Sequence, residues 1–210
     1  MSQVETCFFE RYARATLKAV LDSGFGRLVN RDRPDLQSPD GRFMGIEVTR
    51  AMERSKDAAE MMLDAAAGIL PLPDDSDYGK IVGSGYGYGL QNGGYMGSKE
   101  AFYWSLARPL RDILQSKVSK AVCGLYGEFE NMGLYVFCKD PLSEAEVIKT
   151  YKYVLELQKY ADGGYDCLYL SEISRLSVCN LRDGLSDGAR VAYFDISPDL
   201  RRELFIEAVE

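Results

Sequence analysis

Two acids in the segment Pro34 to Thr49, PDLQSPDGRFMGIEVT, have the types and spacing to do chemistry. Asp35 follows a proline, Glu47 lies in the run Gly45-Ile46-Glu47-Val48-Thr49, and Ser38-Pro39-Asp40-Gly41 between them is a turn signature. A hairpin built on that turn places the acids on neighbouring strands. Two carboxylates a few ångströms apart repel unless a cation neutralises them, and Mg²⁺ accepts such oxygen ligands while keeping several waters. A cation held there lowers the pKa of a bound water and offsets charge on a phosphoryl group under attack. The register of the hairpin selects the partner of Glu47. A tight turn over Ser38 to Gly41 sets it opposite Asp32, whereas a wider loop reaching about Met44 sets it opposite Asp35, so Asp32 is a reserve candidate.

Composition narrows the chemistry further. The 210 residues contain no histidine, which removes Ser-His-Asp and Cys-His triads, histidine general bases and histidine-ligated zinc or iron. Catalysis would have to use carboxylates, lysine, tyrosine, cysteine or a metal held by oxygen. Five scattered cysteines, Cys7, Cys123, Cys138, Cys167 and Cys179, form no CxxC pair, so neither a zinc site nor a disulfide framework is expected. The formal charge of -7 speaks against a broad basic face for a phosphate backbone. It speaks less against a nucleic-acid enzyme, whose metal-binding acids lower the pI themselves. With 46% hydrophobic and 27% charged residues, the chain has the composition of a globular protein. No apolar run reaches the roughly 20 residues of a membrane helix, and the N-terminus lacks the basic-then-apolar order of a signal peptide. The expectation is a soluble, cytoplasmic protein with one α/β domain over 1–210.

The elements that must position the acids follow from periodicity. Ser2 and Glu5 have capping-box spacing, and Val4, Phe8, Phe9, Tyr12 and Val20 predict an amphipathic helix to about Leu21. On it, Glu5 projects into the apolar face, either to reach back to the Ser2 amide or to point into a site beneath the helix, while Glu10 lies nearer the charged side. Phe25 to Asn30 is expected to make a first strand, followed by the Pro34 to Thr49 hairpin. Arg50 to Leu70 is helical in pattern. Gly79 to Gly97 interleaves eight glycines with Tyr86, Tyr88 and Tyr95, and matches neither phosphate-loop spacing. It reads as a loop or Gly/Tyr hairpin packed on the domain, or as a flap whose tyrosines stack on bases.

Ser98 caps a further helix, restarted at Pro109 and continuing to about Val122. Lys117 falls at the centre of the face formed by Leu110, Ile113, Leu114 and Ala121, with Lys120 at its edge. It either snorkels along the core or delivers an ammonium group to acids beneath the helix. Leu134 to Cys138 predicts a central buried strand, and Pro141 with the Ser143/Glu146 capping box starts a helix through about Tyr160. A strand is expected at Tyr165 to Leu170, with short edge strands at Ile173 to Leu181 and Arg190 to Phe194. Ser197-Pro198 opens a last helix.

This order of helix, strand, Pro-Asp strand, strand ending Glu-x-Thr, helix and buried strand resembles the PD-(D/E)XK, or restriction endonuclease-like, nuclease superfamily. The resemblance covers about 1–140 and leaves 141–210 as family-specific elaboration. It implies a mixed β-sheet flanked by helices, with the N-terminal helix preceding the hairpin that carries the acidic motif. It also implies a hydrolase, a nuclease that cleaves phosphodiester bonds with Mg²⁺ or Mn²⁺ held by Asp35 and Glu47, in a defence or mobile-element setting. The implied partner is nucleic acid, DNA ahead of RNA, with a homodimer or protein partner also expected. The family often adds a glutamate from the first helix, a role that falls on Glu5, with Glu10 as the alternative. The departure is Thr49, where the family usually has lysine. Lys117 is the best substitute, and Lys56 and Lys99 are weaker ones. The competing readings are a catalytically inactive member acting as a binding or assembly module, and an unrelated α/β protein whose Gly/Tyr loop binds a peptide or small ligand.

Overall fold

A computed structural model describes residues 8–50, 90–91, 94–95, 110, 112–138, 141–172, 174–182 and 191–209. The chain separates into two compact units, one of Met1–Arg50 with Ser116–Glu210 and the other of Ala51–Gln115. The first contains a seven-stranded mixed sheet in the order β1 (Val29–Asn30), β2 (Leu36–Gln37), β3 (Met44–Arg50), β6 (Asn131–Phe137), β7 (Cys167–Ser171), β8 (Arg175–Asn180) and β9 (Val191–Asp195). β3, β6 and β7 run parallel and the flanking pairs are antiparallel. The helices are α1 (Phe8–Val20), α2 (112–122), α3 (Glu144–Gln158) and α4 (Pro198–Val209). The expected α/β class with a mixed sheet between helices is therefore what forms, and 141–210 supplies three of the seven strands. In the second unit, β4 (Leu90–Gln91) and β5 (Gly94–Tyr95) pair antiparallel. Among the described residues no helix is long and apolar enough to cross a membrane.

The central strands are apolar on both faces, as parallel strands covered on both sides must be. β6 buries Met132, Gly133, Leu134, Tyr135 and Val136 in succession. One face, carrying Leu36, Ile46, Val48, Tyr135, Tyr169 and Leu176, joins α1 and α4 in a single core cluster. Edge-on aromatic contacts tie α1 to β6, with Tyr12 and Phe137 rings 5.8 Å apart. Lys18 pairs with Glu207 at 2.9 Å across α1 and α4. The opposite face of β3 carries Glu47, in register with Leu134 of β6.

Several expected elements form with altered bounds. In place of a strand over Phe25 to Asn30, Ser23–Arg27 makes a 3₁₀ turn, Leu28 is extended, and strand pairing is confined to Val29–Asn30. Asp22 caps that turn by accepting from the Gly24 amide at 2.6 Å, a local bond that competes with strand pairing. The strand expected from Tyr165 starts at Cys167, because Gln158 ties down both the amide and carbonyl of Tyr165. β8 lies inside the sheet between β7 and β9, not at its edge. The Ser143/Glu146 capping box is present on α3. Of the cysteines, Cys138 and Cys179 are buried, Cys167 is half-buried and Cys123 is exposed. The Ser2/Glu5 cap and the helix over Arg50 to Leu70 lie outside the described residues.

Gly45 marks the tightest packing near the acids. A Cβ there would lie 2.8 Å from Pro34 Cγ and 2.9 Å from the Phe129 ring. Gly45→Ala should therefore destabilise the fold by about 1–3 kcal/mol, measured by urea unfolding, because a proline ring and a phenylalanine ring give way poorly.

Candidate active site

The wide-loop register is the one that forms. Leu36 pairs with Ile46 and Gln37 with Gly45, so the next step along brings Asp35 opposite Glu47. Asp40 builds the loop that sets this register. Its carboxylate accepts from the Ser38 hydroxyl at 2.5 Å, the Arg42 amide at 3.0 Å and the Phe43 amide at 3.2 Å. These bonds, the Ser38 hydroxyl first, hold its titration down at about 2. Gly41 adopts φ +67°, and the loop closes where the Ser38 amide donates to Met44 O at 2.8 Å. Asp32 is consequently left exposed beside Arg33, 3.6 Å from its Nε.

Asp35 and Glu47 are held differently. Asp35 is half-buried, and its Oδ2 accepts from the Val48 amide at 2.8 Å. Burial, followed by the negative charge of Glu47, pushes its titration up to about 6. The Val48 bond and the charge of Lys117 pull the other way without prevailing. Glu47 is buried, at 7% exposure, and its Oε1 accepts from Lys117 Nζ at 2.5 Å. α2 thus delivers the ammonium group inward, and Lys120 on the same helix stays exposed. Beneath them, the Tyr165 hydroxyl donates to Lys117 O at 3.3 Å, fixing the turn of helix from which the ammonium is presented.

The structure therefore brings Asp35, Glu47 and Lys117 together. Glu10 does not join them directly. Its carboxylate is held by Asn30 Nδ2 at 2.6 Å, and its charge adds only a lesser upward push on Asp35. Glu5, Lys56, Lys99, Tyr86 and Tyr88 lie outside the described residues, and Tyr95 lies on β5 in the second unit. Sequence reasoning passed over Tyr126 and Tyr165, both buried beside the acids. The one sequence signal was Gly124-Leu125-Tyr126-Gly127, an aromatic residue between two turn glycines directly after a helix.

Among the described residues, no three or more His, Cys, Asp and Glu side chains gather into a group able to hold a metal alone. Asp35 and Glu47 are a pair of hard oxygen donors with excess negative charge, a donor set suited to Mg²⁺ that retains water and substrate oxygens as its other ligands. Fold and site together define an α/β protein with two strand carboxylates and one helix lysine on a common face. No protein-family model, curated protein or solved structure matches the chain.

Because the folded state raises Asp35 from 3.8 to about 6, it binds more protons than the unfolded chain between those values. Stability on this account falls as pH rises through that window and stays reduced above it. Asp35→Asn keeps an acceptor for the Val48 amide and removes the penalty. At pH 7.5 it should be more stable than wild type by about 1–2 kcal/mol after screening by solvent, and the gap should close below about pH 4 in denaturant titrations.

Proposed function

We propose that this protein is a metal-dependent nuclease of the PD-(D/E)XK type, hydrolysing phosphodiester bonds of nucleic acid. The observation that carries the reading is the Lys117 ammonium 2.5 Å from Glu47, with Asp35 on the adjacent strand. It supplies from α2 the positive charge that Thr49 cannot supply from β3. Asp35 and Glu47 would hold Mg²⁺, which when bound supplies an acidified water and offsets phosphoryl charge. The chain's own groups act around it. Lys117 directs an ammonium at the acidic face, where it offsets the charge of a phosphodiester oxygen in a partly water-excluded setting. The Tyr165 bond keeps that ammonium from swinging away with its helix turn. Asp35, elevated to about 6 by burial and Glu47, must lose its proton before it can serve as a ligand.

The same ion pair favours a second reading. Glu47 is buried and already neutralised by Lys117, as expected if the pair is structural and the fold serves as a catalytically inactive binding or assembly module. Metal affinity separates the two: a nuclease should bind Mn²⁺ through Asp35 and Glu47 in calorimetry, and the module should not.

Purified protein should cleave labelled single- or double-stranded DNA or RNA in Mg²⁺ or Mn²⁺, and excess EDTA should stop it. Asp35→Asn, Glu47→Gln and Lys117→Ala should each lower kcat by at least about 100-fold. Wild-type cleavage should decline as pH falls through about 6, as Asp35 takes up its proton. Cleavage that survives both acid substitutions would overturn the assignment.

A further inference from the structure

Tyr126 is placed with unusual care for a residue whose hydroxyl makes no hydrogen bond of full geometry among the described residues. α2 ends in a Schellman pattern, with the Gly124 amide donating to Ala121 O at 2.9 Å and the Leu125 amide to Lys120 O at 3.1 Å. Gly124 sits at φ +72°, as that pattern requires, and Gly127 at φ +80° turns the chain again. The Gly127 amide closes this second turn on Gly124 O at 3.2 Å. Between the glycines, Leu125 faces out and Tyr126 faces in. The ring is 5% exposed and lies 6.4 Å from that of Tyr165.

Among the described residues its hydroxyl makes no hydrogen bond of full geometry, although Glu47 and Tyr165 lie within hydrogen-bonding reach of it and Asp35 adds a lesser charge. A phenol keeps its proton at neutral pH, so the hydroxyl is available as a donor. Buried donors are normally satisfied, and an exception beside two acids and a lysine calls for an acceptor that arrives from outside. That acceptor has to be oxygen-rich and must tolerate two carboxylates, conditions met by a phosphodiester whose charge is offset at the same site.

Resting on the nuclease reading above, we propose that Tyr126 contacts substrate, its phenol O–H donating to a non-bridging phosphoryl oxygen of the phosphodiester bound over Asp35 and Glu47. As the nucleophile attacks, negative charge builds on that oxygen, and a donor already fixed in place stabilises it without reorganising. Tyr126→Phe isolates the hydroxyl, since it keeps the ring against Tyr165.

The test uses the full chain and a fluorescein-labelled oligonucleotide of the polymer that wild type cleaves fastest. Cleavage is followed in Mg²⁺ and binding by anisotropy in Ca²⁺. Tyr126→Phe should lower kcat by about 10- to 100-fold, with KM within about threefold and anisotropy binding weakened several-fold. Its melting temperature without ligand should equal or exceed that of wild type, because the lost hydroxyl made no hydrogen bond of full geometry. Cleavage and binding within twofold of wild type would overturn the proposal, leaving an ordered water as the hydroxyl's partner. So would a fall of several degrees in melting temperature, which would give the hydroxyl a structural role. If Tyr126→Phe matches wild type while Asp35→Asn and Glu47→Gln are inactive, only this proposal fails. If wild type neither binds nor cleaves, or both acid variants behave like it, the nuclease reading fails and takes this one with it.

Discussion

The loop held together by Asp40 is the constraint on which the site depends. Strand side chains alternate, so pairing shifted by one residue would turn Glu47 away from the face that carries Asp35. The tight-turn alternative, a slip of three residues, would do the same, setting Glu47 opposite Asp32, an exposed residue next to Arg33, and leaving Asp35 on the other face. Three bonds to one carboxylate, together with a left-handed Gly41, widen the loop to Ser38–Met44 and decide the matter. An exposed residue that touches no part of the site thus determines which acid faces Glu47.

Once the acids are opposed, electrostatics organises their surroundings. Asp35 is desolvated and lies beside a like charge, and both effects favour its protonated form. The Val48 amide and Lys117 act against this, but the balance remains with the proton. A region in which two acids are incompletely neutralised by one ammonium group has a standing demand for further positive charge. Positively charged or charge-offset ligands meet that demand, and this is the support that the pair lends to the proposed metal site.

The two faces of the sheet divide the work. One is closed by α1 and α4 over an apolar cluster that includes Ile46 and Val48, the neighbours of Glu47 on either side. The rigidity of β3 comes from that packing, so Glu47 inherits a fixed position without needing polar contacts of its own backbone beyond the ladder. Glu10, on α1, is tied to Asn30, and its charge adds a lesser upward push on Asp35. α2 and the double turn after it serve the other face, supplying Lys117 and then Tyr126 from segments ten residues apart or fewer.

Local pattern in the sequence determined much of this. The 3.6-residue period placed α1 and α3, Ser197-Pro198 placed the start of α4, the apolar run placed β6, and the Ser/Asp/Gly turn placed the hairpin, because each signal lies within a few consecutive residues. Facial position on α2 likewise indicated that Lys117 points inward. Asp22 and its glycines overrode the strand expected at Phe25, since a side-chain cap one turn long outweighs weak strand propensity. What only the tertiary structure decided was the meeting of groups distant in the chain. The Lys117–Glu47 pair spans 70 residues, and the choice of Asp35 over Asp32 rested on hydrogen bonds inside a loop. Tyr126 acquired its significance only from burial beside acids far away in sequence, because burial, desolvation and the lack of a fully formed hydrogen bond are properties of packing and leave no periodic trace in the chain.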